Sequence, residues 1–314
     1  MDNLKVSVIV PSRNRPEMLK RCLDSIVKSR SRHNYYELIV VDNSDDEAKI
    51  RLNRQIAQEM GILYCHEPGS GLSFARNTGI KEASGDIVVF ADDDFVVEKD
   101  WTKNLVPNYA DTEVMCCTGR MLPYRQDEAS RAFNRTMGYD RGDRRRIFTA
   151  DDISLLKLLK TVTLIGRLRL GDKTPAPWAI GAGFCSFRKC IFEEVGYFDE
   201  NLRVGRVSAG EDMDMFYRIL RSRYKIVYEP TAVVNHDDPQ TMEGVLTKSH
   251  TYGLHRHTLF HKYRKDPYML ALSLGSFFFS MFGWLRTAVK SEREERRVIA
   301  AGMKGFLEGF GRRR

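Results

Sequence analysis

The sequence predicts an α/β fold: a Rossmann-like mixed, mostly parallel sheet with helices on both faces, followed by a helical C-terminal region. Three observations carry that prediction. Apolar runs of strand length alternate with stretches of helical apolar spacing along the first part of the chain. The links between them are short, as in successive β-α units. Polar clusters follow three of the strand-like runs, at the edge where such sheets bind ligands.

In chain order, Val6 to Val10 is a β-branched run and reads as the first strand. Arg15 to Lys28 follows with apolar residues at Leu19, Cys22, Leu23, Ile26 and Val27, the spacing of one helix face. Glu37 to Val41 gives a second strand, Glu47 to Met60 a second helix and Ile62 to Cys65 a third strand. Phe74 to Ala83 reads as a helix, Asp86 to Ala91 as a fourth strand, and Lys99 to Tyr109 as a further helix. From about Met121 to Pro177 the periodicity weakens around a basic patch at Arg141, Arg144, Arg145 and Arg146, which reads as a helical and loop insertion. Strand and turn signals resume from Trp178 to Phe187. A helix from Gly210 to Arg223 and two short strands, Lys225 to Tyr228 and Ala232 to Asn235, complete the alternation. After about Pro239 the composition shifts to long helices. The expected organisation is one domain over residues 1–238, with halves 1–119 and 120–238, and a helical region over 239–314.

The 314 residues, 42% of them hydrophobic, suffice for a substantial core and exclude a disordered chain. A formal charge of +8 suits an anionic partner such as a nucleotide diphosphate, a phospholipid surface, a lipid phosphate or a nucleic acid. Nucleic acid is disfavoured, because the basic residues lack aromatic interleaving or a binding motif. The six cysteines are scattered, without paired Cys or Cys/His spacing for zinc, and read as reduced residues of an intracellular protein. Met1 to Asn14 has no cleavable signal pattern, so the expected location is cytoplasmic.

Three consecutive carboxylates, Asp92, Asp93 and Asp94, follow the apolar run Ile87 to Ala91. Like charges this close repel, and burial raises the cost. A divalent cation, Mn²⁺ or Mg²⁺, relieves the repulsion and accepts phosphate oxygens at the same time. A solvated acidic turn or a capping cluster for the next helix is the alternative reading. Polar groups from other strand ends point the same way: Pro11, Ser12, Arg13 and Asn14 after strand one, and Asp42 at the end of strand two. Arg76, on the segment Leu72 to Gly79, has a planar fork that suits a diphosphate or a base. A base for an acceptor hydroxyl is needed if the reaction is group transfer, and Asp212, with Glu211 beside it at a helix start, is the candidate. An ordinary acidic first turn that complements the helix dipole is the competing explanation.

Val6-Ser-Val-Ile-Val-Pro-Ser-Arg-Asn14, Val41-Asp-Asn-Ser44, Gly71-Leu-Ser-Phe-Ala-Arg-Asn-Thr-Gly-Ile80 and Phe90-Ala-Asp-Asp-Asp94 resemble, in order and spacing, the successive signatures of family 2 glycosyltransferases of the GT-A fold. Gly183 to Arg188, Val195 to Asp199 and Gly210-Glu-Asp-Met-Asp214 with Arg218 are similar to that family's acceptor-side segments, so the resemblance covers roughly residues 4 to 237. It implies that Pro11, Ser12, Arg13, Asn14 and Asp42 line a nucleoside pocket, with Arg76 and Asn77 on the donor side. It implies that Asp94 binds the metal directly, that Asp92 contacts the ribose or acts through water and counts among the metal residues, and that Asp93 belongs to the donor site. His236, after the last strand, matches a histidine that adds a metal or diphosphate contact. Trp178, Gly181 and Gly183 fall on the acceptor side, where Trp178 either stacks on a sugar or belongs to the core. The implied activity is inverting transfer from a nucleotide-diphospho-sugar, with Asp212 as base.

Tyr268 to Leu285 is an uncharged run of 18 residues, at the lower limit for spanning a bilayer. Residues 286 to 314 then carry nine Lys or Arg against four Glu. Peripheral attachment to the cytoplasmic face of a membrane is the favoured reading, and a glycan, glycolipid or polyprenyl-linked acceptor would follow from it. A helix packed on the catalytic domain is the alternative. A nicotinamide dehydrogenase is excluded by the missing GxGxxG after strand one. A nucleotidyltransferase is disfavoured because Pro11-Ser-Arg-Asn14 has no glycine, and a degenerate sugar-nucleotide binder because both acidic sites are present.

Overall fold

The N-terminal β-branched run forms strand β1 (Val6–Ser12), buried along its whole length. The structure, a computed structural model, describes residues 4–29, 36–136, 139–158, 176, 180, 183–204, 207–208, 210–289 and 293–311. Strands β2 (Glu37–Asp42) and β4 (Ile87–Phe90) flank β1 in parallel, and β3 (Leu63–His66) adds to β2 in parallel. On the other side β8 (Cys185–Arg188) runs antiparallel between β4 and β6 (Val114–Pro123). Strand β11 (Lys225–His236) lies parallel to β6, while β5 (Phe95–Val97) and β7 (Arg146–Phe148) pair antiparallel with it. The order is β3-β2-β1-β4-β8-β6-β11-β5, with β7 also on β11. The short strands β9 (Arg203–Val204) and β10 (Val207–Ser208) pair separately.

The central strands are continuous apolar runs because both of their faces are covered. Ile9, Ile39, Val41, Val88 and Phe90 point into one core, with residues of helices α3 (Leu72–Glu82), α6 (Ile191–Val195) and α7 (Glu211–Arg221). Val8, Val10, Leu38, Val40, Val89 and Ala91 point into the other, against α1 (Pro16–Ser29), α2 (Glu47–Glu59) and α4 (Trp101–Leu105). Burying each such aliphatic or aromatic side chain stabilises the fold by about 1.5–3 kcal/mol.

Beyond the sheet, α8 (Met242–Lys262) and α10 (Arg293–Gly311) pack closely, and a Cβ on Gly253 would sit 2.0 Å from the Gly302 carbonyl oxygen. They meet α5 (Glu128–Thr136) in a small core of Ala129, Phe133, Val245 and Val298. The first turns of α9 (Pro267–Val289) bury Tyr268, Met269 and Leu272 in the core beside α7. One face of the remainder packs through Phe277 on Phe306, ring centroids 5.2 Å apart, and through Ser276 and Ser280 near Arg256. The opposite face leaves Leu274, Phe278, Met281, Phe282 and Leu285 exposed, one helical stripe. Part of this run is thus packed in the protein and part is exposed.

Several expectations change. The two short strands expected from Lys225 to Asn235 are one strand, irregular between Glu229 and Val233. Strands β5 and β6 were not anticipated, and the expected insertion from Met121 contributes the end of β6, α5 and β7. The basic patch is partly spent inside the protein: Arg145 lies 3.3 Å from Glu229, and Arg146 stacks over Phe148.

Candidate active site

Strands β1, β2, β4 and β11 end on the same edge of the sheet, and Ser12, Asp42, Asp92 to Asp94 and His236 lie there. The Ala91 amide still donates to the Ile9 carbonyl, after which the chain turns, with the Phe95 N–H on the Asp92 carbonyl at 3.0 Å. This turn points three carboxylates in three directions. Asp93 goes inward, fully buried; it accepts the Ser12 hydroxyl at 2.8 Å and meets Arg15 Nη2 at 2.5 Å. That last contact is ionic without hydrogen-bond geometry, so Asp93 Oδ1 is a buried oxygen lacking a hydrogen-bond partner, and Asp94 Oδ1 is another. Burial, opposed by Arg15, pushes Asp93 up to about 7, and burial, opposed by Arg76, pushes Asp92 up to about 6. For Asp94 burial is outweighed by His236 and Arg15, which hold it below the usual carboxylate range.

Arg76 joins this turn to the start of α7. Its Nη1 lies 2.5 Å from Asp212 Oδ1 and 3.2 Å from Glu211 Oε1, and its Nη2 lies 3.4 Å from Asp92 Oδ1. The guanidinium is sandwiched between the rings of Phe90 and Phe198, 5.3 Å from each centroid. It is fully buried, so its fork is spent on the protein's own carboxylates rather than presented to a diphosphate. A buried charge must be paired, and here the pairs are internal. Burial and the adjacent Asp212 charge raise Glu211 to about 7. Asp212 Oδ2 accepts the Gly183 N–H at 3.0 Å. Gly183 has φ +95°, and a Cβ there would stand 3.7 Å from Asp92 Oδ2, so the turn lies between Asp92 and Asp212.

His236, at the end of β11, is buried, with Nδ1 on Asp238 Oδ1 at 2.7 Å and Nε2 3.8 Å from Asp94 Oδ2. Asp238 accepts the hydrogen on Nδ1, so in the neutral ring Nε2 presents a lone pair. Lys248 Nζ, from α8, lies 3.4 Å from that nitrogen. A carboxylate behind a histidine whose other nitrogen faces a second carboxylate is an arrangement that could hold a cation. Among the described residues no three His, Cys, Asp or Glu side chains gather into a ligand cluster. Asp94, with its unpartnered oxygen, and His236 therefore fit a cation completed by phosphate and water oxygens rather than an all-protein cage.

The remaining expected residues are placed as follows. Asp42 is buried, accepting the Ser44 amide, the Asn53 side chain at 3.0 Å and the Tyr64 hydroxyl at 2.8 Å, so its carboxylate is engaged inside the protein. Pro11 is buried at the end of β1, and Asn14, with φ 56°, bonds Asp45, as does Arg13 at 3.0 Å. Asn77 ties α3 to the backbone of Phe198 and to Glu200, a packing task. Trp178 and Gly181 lie outside the described residues. Arg15, Asp238 and Lys248 were not anticipated. A basic residue directly after the Pro11 to Asn14 segment was a signal for Arg15; nothing local signals Lys248.

The model of "Glycosyl transferase family 2" matches residues 7–176 of this chain, which includes the aspartate turn and precedes Asp212 and His236. The glycosyltransferase GlyA of Streptococcus pneumoniae is 30% identical over 125 residues, covering 40% of this chain and 18% of that protein. The pre-mycofactocin glycosyltransferase of Mycobacterium tuberculosis is 24% identical over 252 residues, covering 79% and 46%. The chain thus spans less than half the length of either relative. In fold it is similar to the mannosyltransferase PcManGT from Pyrobaculum calidifontis, solved with GDP-Man and Mn²⁺, at a TM-score of 0.59, 16% identity and coverage of 98% and 87%.

Proposed function

The chain belongs to glycosyl transferase family 2 and has the GT-A fold, and on that premise we propose that it transfers a sugar from a nucleotide-diphosphate donor to an acceptor hydroxyl with inversion. The observation that carries the proposal is Arg76, which fixes Asp92 of the donor turn and the Glu211–Asp212 pair within one hydrogen-bonded unit. Asp212 takes the acceptor's hydroxyl proton, the freed oxygen bonds the anomeric carbon, and the carbon–oxygen bond to the diphosphate breaks, its electron pair leaving with the nucleotide. Arg76 and the Gly183 N–H hold that carboxylate in register with the donor turn. Glu211, its proton affinity raised by burial, shapes the electrostatics beside it. A divalent cation at Asp94 and His236 would supply charge stabilisation for the departing diphosphate. Asp42, Ser12 and Asn14 form the wall toward the nucleoside.

The acceptor is proposed to be presented at a membrane. The α9 run is long and apolar enough to cross a bilayer by length and composition, with 22% of its window buried. Its stripe from Leu274 to Leu285, flanked by exposed Arg264, Lys265 and Arg286, suits shallow insertion beside anionic headgroups. A glycolipid or polyprenyl-linked acceptor, handled at the cytoplasmic face, fits that placement.

Melting-temperature shifts against nucleoside diphosphates and nucleotide sugars, with and without Mn²⁺, test the donor reading. Stabilisation that needs both, followed by release of the nucleoside diphosphate on acceptor addition, is expected. Cation-independent binding would remove the metal from the account, and binding without turnover would leave a sugar-nucleotide receptor.

A further inference from the structure

We infer that Lys248 is a positioning residue that exchanges partners: it occupies the lone pair of His236 Nε2 when no cation is bound, and takes a donor phosphate oxygen once a cation claims that lone pair. The inference rests on the donor-site reading above and concerns a residue outside the sheet, on the first half of α8.

The geometry is specific. With Nδ1 of His236 committed to Asp238 at 2.7 Å, the Nε2 lone pair faces Lys248 Nζ at 3.4 Å. The ammonium is held over the rings of Phe133 and Tyr139, 5.2 and 5.5 Å from their centroids, so its approach to the site is fixed by aromatic walls. Asp94 and Asp238 supply the negative field around it. An ammonium and a divalent cation cannot share one imidazole lone pair, and at this range they repel. Cation binding must therefore release Lys248, and the group that arrives with the cation and accepts N–H donors is the diphosphate. The flexible four-carbon stem permits such a swing where an arginine fork would not. The cation and the nucleotide then bind with positive coupling, because the cation frees Lys248 for the phosphate and the phosphate takes up the ammonium that the cation displaces.

Lys248→Met keeps the stem on the aromatic rings, and Lys248→Gln serves if the first variant fails to fold. The full chain is titrated with Mn²⁺ alone, followed by electron paramagnetic resonance, and then with uridine and guanosine diphosphate at saturating Mn²⁺ by calorimetry. The expected result is opposite in sign: Mn²⁺ alone binds several-fold more tightly, while the nucleoside diphosphate that binds wild type weakens by about tenfold or more. A folded variant in which both affinities fall, or neither changes, overturns the inference. If wild type itself binds neither Mn²⁺ nor a nucleoside diphosphate, the donor-site reading fails and this inference with it. If wild type binds both and the variants match it, only the role of Lys248 falls.

Discussion

Replacing Arg76 by methionine keeps most of its volume between Phe90 and Phe198 but removes a charge shared by Asp92, Glu211 and Asp212. Removing one partner of a buried ion pair costs about 3–5 kcal/mol, because the other is left uncompensated. Here Glu211 and Asp212 are buried too and Asp92 is half-buried, so the upper part of that range applies at alkaline pH. For a chain of this size the loss lowers the melting temperature by on the order of 10 °C. The sign with pH follows from the direction of the shifts. Asp92 and Glu211 already stand raised, at about 6 and about 7, and loss of the guanidinium raises them further. A group raised in the folded state stabilises below its unfolded value and loses that stabilisation as pH rises through the folded one. The deficit of the variant is thus smallest near pH 5, where both are protonated, and largest near pH 8. Urea denaturation of wild type and Arg76→Met at these two pH values measures it. A loss below about 1 kcal/mol at pH 8, or the same loss at both, would refute the view of Arg76 as the clasp of the site.

Three further outcomes are expected. Glu211→Gln has no proton to lose, so relative to wild type it is near neutral at pH 5 and stabilising by about 1–3 kcal/mol at pH 8, read by the same titration; equal effects at both pH values contradict the raised Glu211. Asp94→Ala removes the carboxylate with the unpartnered oxygen and abolishes the Mn²⁺-dependent part of the nucleotide-induced melting shift, while a retained shift places the cation elsewhere. Phe278→Ser with Phe282→Ser takes two exposed rings from the α9 stripe and lowers cosedimentation with anionic vesicles at least tenfold at unchanged melting temperature; undiminished sedimentation removes that face as the docking surface.

The alternation from β1 to β4 was legible because two-sided burial writes itself as β-branched runs, and each intervening helix shows its apolar stripe. Strand β6 was not legible: Val114 to Pro123 mixes Met, Cys, Thr, Gly and Arg, carries no period-two pattern, and is buried by partners far along the chain. Strand β5 is three residues long and follows the acidic turn, which hides it. In the site, Asp92, Asp94, Asp212 and His236 were identifiable from their positions after strand or before helix, and the fold brings them to one edge. What Arg76 does with its fork was not, since Asp92, Glu211 and Asp212 converge on it only through the tertiary packing of α3 against α7. Lys248 is a surface-like lysine in the sequence of α8, and only the docking of that helix beside β11 gives it a partner.

The measurement closest to the central claim compares Asp212→Asn with wild type for donor binding and for transfer. The variant has one amide oxygen for the two donors Arg76 Nη1 and Gly183 N–H, so it keeps one of these hydrogen bonds, and it cannot accept the acceptor's proton. The account predicts nucleotide-sugar affinity within about threefold of wild type and a turnover reduced by roughly 10²–10⁴. Transfer at the wild-type rate with an unchanged pH profile would contradict it.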